Sequence, residues 1–346
     1  RQQKRGGKGM QGVNLKDADF VEHLFVASTH SYMLFFSTKG KVYRLKVYEI
    51  PEAGRHARGT AIVNLLPLEK GESISAVIAT KDFPAEEFLM FATAQGNVKK
   101  TSMDQYDRTR RDGLIAINLD EGDELAWVRQ TDGQSQLIVA TKNGMVKRTP
   151  MKEYENVRKN GLQAIVLRED DELIEVKATD NTEDIFLVTK KGMCIRFHET
   201  DVRITGRVSM GVIGMKFEPG DEVIGMQMAS QGESLLVVSQ YGLGKRTPIE
   251  EFTSQFRGGK GVRCYRITDK TGDLVGAKLV DESRQIMLIT NEGIIIKMKV
   301  NTISVIGRNT SGVKLMDIDP ESGVVVASIA KVRESSEDED EELDEE

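Results

Sequence analysis

Six stretches of the chain pass through the same change of pattern: apolar, β-branched or aromatic residues, a polar turn with glycine, then apolar residues again. They are FFSTKGKVYR, FATAQGNVKK, IVATKNGMVKR, FLVTKKGMCIR, LVVSQYGLGKR and MLITNEGIIIK, with glycines at Gly40, Gly96, Gly144, Gly192, Gly242 and Gly293 and a period close to fifty residues. Apolar runs of strand length broken by such a turn predict a β-hairpin per repeat, and the glycine supplies the positive φ of the turn. Three offsets recur in all six copies. A hydroxyl stands three residues before the glycine (Ser37, Thr93, Thr141, Thr189, Ser239, Thr290) and a cation four after it (Arg44, Lys100, Arg148, Arg196, Arg246, Lys297). A core-type side chain follows at ten (Ile50, Tyr106, Tyr154, Val202, Phe252, Ile303).

A second set of segments interleaves with the hairpins: GMQGVNL, GTAIVNL, GLIAINL, GLQAIVL, GVIGMKF, GVRCYRI and GVKLMDI, beginning at Gly9, Gly59, Gly113, Gly161, Gly211, Gly261 and Gly312. Each leads through an acidic turn into another strand, so the unit has about four strands. Four strands per unit repeated around this period predict an all-β fold of six radial blades rather than a sandwich. Seven such segments against six hairpins leave a partial unit at each end, and a flat closed ring and a rising spiral both satisfy the pattern. An arginine stands four residues ahead of the glycine in Arg5, Arg55, Arg207, Arg257 and Arg308, displaced by one in Arg110 and Arg158. The fuller string RGGKG occurs twice, at Arg5–Gly9 and Arg257–Gly261. The first copy mimics a dinucleotide fingerprint in its glycine spacing, but lacks the strand before and helix after that such a site needs.

Charge alters this picture. The net charge of −6 averages two regions, because Glu334–Glu346 holds ten carboxylates and no base, so that residues 1–333 carry +4. An acidic run of that density is expected to be a disordered tail. No apolar run has membrane-spanning length, and a cytoplasmic protein without a membrane partner is expected. Cys194 and Cys264 are expected to be packed thiols, and His23, His30, His56 and His198 form no metal-ligand pattern.

A blade architecture copies one position around a perimeter. Arg44, Lys100, Arg148, Arg196, Arg246 and Lys297, thickened by Lys99, Lys147 and Lys245, are therefore expected to form a basic belt suited to a polyanion. The alternative is a solvated charge that protects each sheet edge. Duplex DNA fits a belt of evenly spaced cations that reads no base. Aromatic residues are 6% of the chain and form no stacking platform, which makes RNA less apt.

The string QKRGGKG at Gln3–Gly9, the six repeats and the acidic end together resemble the C-terminal domain of the DNA gyrase A subunit, with Lys4 where that family most often has arginine. The resemblance implies a six-bladed β-pinwheel over residues 1–333, followed by a tail at 334–346, that wraps duplex DNA on its outer edge. It assigns wrapping to Gln3, Lys4, Arg5, Gly6, Gly7, Lys8 and Gly9, and Arg257 and Lys260 of the second RGGKG join the expected DNA-binding set. It also implies a monomeric domain without catalytic residues, metal or cofactor. The ATP, Mg2+ and catalytic tyrosine of the holoenzyme would lie in the rest of the A subunit or in the B subunit of an A2B2 assembly. The corresponding domain of topoisomerase IV is the nearest rival, though it generally lacks an intact box. A propeller serving as a protein scaffold is another, but would not need cations in register. For the tail, competition with DNA for the belt and a solubilising role are equally open.

Overall fold

A computed structural model describes residues 10–11, 32–46, 66–69, 72, 74–110, 112–131, 136–154, 162–290 and 294–332. The QKRGGKG string and the acidic segment lie outside these residues. The six expected hairpins all form: Tyr32–Ser37 with Lys41–Lys46, Phe88–Thr93 with Asn97–Ser102, Gln136–Thr141 with Met145–Pro150, Asp184–Thr189 with Met193–His198, Ser234–Ser239 with Leu243–Pro248, and Gln285–Thr290 with Ile294–Lys299. They are the centres of blades 1 to 6, each a four-stranded antiparallel sheet. On one side of each hairpin lies an inner strand: Ile74–Thr80, Leu125–Thr131, Leu173–Thr179, Val223–Met228, Leu274–Val280 and Val326–Val332 in turn. These inner strands pack on one another from blade to blade and make the hub.

The fourth, outer strand is where the chain departs from a simple tandem repeat. It is two residues long and is lent by a segment that comes after the next hairpin in sequence. Leu114–Ile115 pairs with blade 1, Leu162–Gln163 with blade 2, Val212–Ile213 with blade 3, Val262–Arg263 with blade 4 and Val313–Lys314 with blade 5. Blade 6 receives its outer strand from the start of the chain, Met10–Gln11 opposite Ile294–Ile295. The two partial units therefore complete one another.

The repeated hydroxyl and glycine explain how the lent strand is held. The glycine has φ +81 to +91° in the five described turns. The hydroxyl accepts from the N–H just after the glycine, as in Met145 N to Thr141 Oγ1 and Met193 N to Thr189 Oγ1, both 3.1 Å. The turn thus offers the glycine carbonyl outward. Gly192 O accepts from Cys264 N at 2.8 Å and Tyr265 N at 3.2 Å, and Gly242 O from Leu315 N at 2.8 Å and Met316 N at 3.1 Å. The fit leaves no room for a side chain, since a Cβ on Gly192 would stand 2.3 Å from the Tyr265 carbonyl oxygen.

Hydrophobic packing lies between blades. Leu89 and Phe91 face blade 1, packing with Leu34, Phe36 and Ile78, whereas Met90 and Ala92 of the same strand face blade 3, packing with Leu137 and Val139. Successive side chains of a strand point to opposite faces. With both faces buried, the first hairpin strands are continuous apolar runs, without the alternation of a half-exposed sheet. Tyr106, Tyr154, Val202, Phe252 and Ile303 are buried, as their repeat position implies, and so are Cys194 and Cys264. Apart from strands, the regular structure of the described residues is limited to short 3-10 turns such as Met151–Tyr154.

Replacing Gly192 by Ala is expected to cost about 2–4 kcal/mol, from the left-handed backbone and the collision with the lent segment. Gly206→Ala, where a Cβ meets nothing within 4 Å, should stay within about 0.5 kcal/mol. Urea unfolding of the two variants beside the parent checks the contrast.

Candidate nucleic-acid interface

Of the repeated cations, Lys100, Arg148 and Arg246 are buried, and Arg44 and Arg196 half-buried. Arg148 is 4% exposed and Arg246 5%, and both side chains run into the next blade. Arg148 Nε donates to Val202 O at 2.8 Å and Nη1 to Asn181 Oδ1 at 2.8 Å, with Glu199 Oε2 at 3.7 Å. Arg246 Nε donates to Ile303 O at 2.8 Å, and its Nη1 meets Glu282 Oε1 at 3.2 Å. Arg196 reaches Ile249 O and Phe252 O at 3.0 and 3.2 Å, anchored by Asp184 at 2.8 Å. In blade 1, Arg44 Nη1 donates to Asp107 O at 2.6 Å. The acceptors Val202, Phe252 and Ile303 are the tenth-position residues of the following repeat. Each arginine therefore hooks its blade to the turn of the next. Lys100 is buried with Nζ 4.0 Å from the Phe88 ring centre. Lys297 lies in the second hairpin strand of blade 6, opposite Met287.

The neighbouring lysines are buried as well. Lys99 Nζ donates to Ala116 O at 2.9 Å. Lys147 Nζ donates to Ala164 O at 2.7 Å and to Arg207 O. Lys245 Nζ, fully buried, donates to Gly307 O and Arg308 O, both at 2.6 Å, and meets Thr310 Oγ1 at 3.0 Å. These lysines clamp the loops that carry the lent strands. Burial pushes Lys147 and Lys245 down to about 8. Burial holds Lys99, Lys100, Lys147, Arg148, Lys245 and Arg246 away from a ligand's phosphates, and the half-buried Arg44 and Arg196 make contacts of the same blade-to-blade kind.

The second RGGKG shows how such a loop divides its work. Arg257 points inward, with Nε to Asp201 O and Nη1 to Ile213 O, both 3.0 Å. Gly258 and Gly261 have φ +89° and +71°, and a Cβ on Gly261 would stand 2.2 Å from Cys194 O. Lys260 is the exposed cation of the string, with Glu218 at 2.9 Å on an equally open surface. That pairing raises Lys260 and lowers Glu218 from their ordinary values.

Outward-facing cations include Lys216, Lys260, Arg263, Arg266 and Lys314, on the lent strands and in the loops on either side of them. Successive loops are tied by one recurrent backbone bond, Val166 N to Ser209 O at 2.8 Å, Lys216 N to Gly259 O at 2.9 Å and Arg266 N to Thr310 O at 3.0 Å. These cations therefore stand in series along the outer edge of blades 3 to 5, interspersed with exposed apolar side chains such as Val208 and Phe256. Sequence reasoning passed over Lys216, Arg263, Arg266 and Lys314. Their signal is the cation two or five residues after the segment glycine, weaker than the hairpin register because only some copies carry it.

Arg148→Ala leaves the fully buried Glu199 without its cation and is expected to cost about 3 kcal/mol in urea unfolding. The buried lysines set a pH dependence. Between about 8 and the ordinary thiol value, the unfolded chain holds protons that Lys147 and Lys245 have released in the native state, so stability rises with pH in that interval. Past that value Cys194 and Cys264, whose thiols burial raises, offset the lysines, and past the ordinary tyrosine value the sign reverses, because Tyr154 and Tyr265, pushed up to about 12 by burial, also keep protons that the unfolded chain loses. Unfolding midpoints across this range should pass through a maximum, and K147M/K245M should make the rising limb shallower.

Comparison with known proteins agrees with this geometry. A family described as DNA gyrase C-terminal domain, beta-propeller, matches residues 1–28, 31–81, 87–132, 135–180, 183–230, 233–281 and 284–331, one segment per repeat with a partial first one. The DNA gyrase A subunit of Staphylococcus epidermidis is 39% identical over 96% of this chain and 32% of its own length, and that of Staphylococcus aureus 37% identical over 98% and 33%. The chain thus spans about a third of the length of these relatives. Among solved structures, the C-terminal domain of a DNA topoisomerase IV aligns with TM-score 0.71 at 24% identity over 91% of this chain and 98% of its own. A DNA gyrase A C-terminal domain aligns with TM-score 0.65 at 22% identity over 88% and 100%. The chain belongs to the DNA gyrase C-terminal domain family of β-propellers.

Proposed function

We propose that the outer edge of this wheel carries duplex DNA, bent around the perimeter and held through its phosphates. The observation that supports this most directly is the series of exposed cations on the lent strands and the loops that flank them, Lys216, Lys260, Arg263, Arg266 and Lys314, spaced by a repeated blade-to-blade hydrogen bond. Such a series has no groove-reading element, so contacts are to backbone phosphate and sequence preference is weak. Bending the stiff duplex costs on the order of several kcal/mol, which many modest phosphate contacts offset.

Within the family, the reading extends to the complete gyrase. The wrapped DNA is presented to a breakage site in the rest of the A subunit, in an assembly with the B subunit that uses ATP and Mg2+, and strand passage introduces negative supercoils. The choice of gyrase over topoisomerase IV rests on Gln3–Gly9 and on the gyrase A relatives, since the solved structures resemble this chain in fold alone. In sequence Arg5 aligns with Arg257 and Lys8 with Lys260.

Two measurements test the proposal. With about five phosphates neutralised, log K for duplex DNA against log salt should have a slope near −4.5. Each of Lys216→Gln, Arg263→Gln and Arg266→Gln should make it shallower by about 1, whereas Lys245→Met should leave it unchanged. A slope near zero, or equal effects of rim and buried positions, rejects the rim. In the reconstituted enzyme, K4A/R5A/K8A should abolish supercoiling and retain relaxation or decatenation. Unaltered supercoiling removes the QKRGGKG string from the mechanism.

A further inference from the structure

The inner strands of blades 2 to 5 enclose a cavity of about 550 Å3 at the hub, with Trp127, Arg129, Lys177, Lys278, Asp281 and Arg284 on its wall. Three of its four cations arise from one rung of the repeat. Arg129 lies opposite Met90, Lys177 opposite Ile138 and Lys278 opposite Leu236, each hairpin residue six before its turn glycine. Gln227 occupies the rung in blade 4, opposite Phe186. Symmetry thus gathers like charges around the axis, where the blades are closest.

Their compensation is incomplete. Lys177 has Glu175 at 3.6 Å, and Asp281 accepts the Glu233 backbone N–H at 3.0 Å. Among the described residues, no carboxylate pairs with Arg129, Lys278 or Arg284. Burial, the largest influence, lowers Lys177 from its ordinary value, Glu175 opposes it, and Lys278 and Arg129 add to it. The Trp127 indole N–H is buried with no acceptor. The cavity therefore has the chemistry of a site for carboxylates or phosphates.

The path of the chain indicates which. The inner strand of blade 6, Val326–Val332, packs beside that of blade 5. Its last residue, Val332, is opposite Gln285, the rung held by Val280 opposite Ser234 and Thr179 opposite Gln136. That rung lies two residues beyond the cations, at the end of the inner strands where Asp281 and Arg284 line the cavity. The chain leaves the hub at this mouth, and the next residues include the ten carboxylates of Glu334–Glu346. Extended at about 3.4 Å per residue, that segment is long enough to enter the cavity and cross it.

We infer that the axial cavity is the docking site of the chain's own acidic segment, Glu334–Glu346, whose carboxylates pair with Arg129, Lys278 and Arg284. Tethering makes the encounter intramolecular, with an effective concentration on the order of millimolar, so individually weak ion pairs suffice. Docking holds the acidic segment at the hub, apart from the cations of the rim, in contrast to both competition with DNA for a shared belt and a merely solubilising role, the two readings that the sequence leaves open.

Trp127 is the chain's only tryptophan and reports on the cavity in the absence of DNA, so the test is independent of the rim. Ending the chain after residue 333 should shift Trp127 emission, and a free peptide of residues 334–346 should restore it saturably, with affinity falling as salt rises. In the complete chain K278Q/R284Q should give the emission of the shortened one, and in the shortened chain it should weaken peptide binding by about tenfold. Far-ultraviolet circular dichroism should be unchanged. Unaltered emission on shortening, or equal peptide affinity for parent and K278Q/R284Q, overturns the inference. So does uptake of inorganic triphosphate with equal affinity by complete and shortened chains, which assigns the cavity to a free anion.

Discussion

In the five blades whose turn is described, the carbonyl oxygen of the hairpin glycine accepts one or two backbone N–H groups from a segment that belongs, in sequence, to another repeat. Gly192 O, bonded to Cys264 and Tyr265, is representative. The positive φ aims the carbonyl, the absent side chain lets the segment approach, and the hydroxyl three residues earlier fixes the turn. Once the segment is docked, its two-residue strand covers the blade edge, and an exposed edge is the usual liability of a small sheet. A blade then has no complete existence alone. Its hydrophobic faces lie against its neighbours, as with the alternate residues of Phe88–Thr93, and its outer edge is supplied from elsewhere in the chain.

The cations reinforce the same coupling. A buried guanidinium such as Arg148 is expensive to desolvate unless its donors are satisfied, and here the satisfying groups are carbonyls of the following blade's turn. Arginine suits this because its planar fork serves two acceptors at fixed angles. Lys245, with three acceptors converging on its ammonium, serves the lent loop in the same way. Charge inside the wheel thus sets blade spacing, and charge available to a ligand is displaced to the rim and to the hub.

Fold class, blade number and turn geometry were legible because each has a local cause. An apolar run broken by hydroxyl, polar pair and glycine can only be a tight hairpin, and six copies at one period imply radial order. The strand exchange was not legible, since a two-residue strand has no periodicity and its partner is settled by docking to a distant glycine. The meaning of the register cations depended on that exchange. Six arginines and lysines at one offset show that the position matters equally in each blade, but a position repeated around a wheel can face solvent or the next blade. Arg148 and Arg246 face the next blade, because the bonded turn and the lent segment together close over them.

Regularity in a repeat protein is therefore evidence about assembly before it is evidence about binding. A residue kept in all six units serves what all six have in common, which is contact with a neighbour. A ligand's demands fall on positions that neighbours do not use, and these vary between copies: Arg263 and Lys314 share a register with Ile115, Gln163 and Ile213. At the hub the same variation places Arg129, Lys177 and Lys278 on one rung with Gln227. Both surfaces gain their charge where the repeat is least strict, and strict positions such as Gly192 and Arg148 hold the wheel in which those surfaces are displayed.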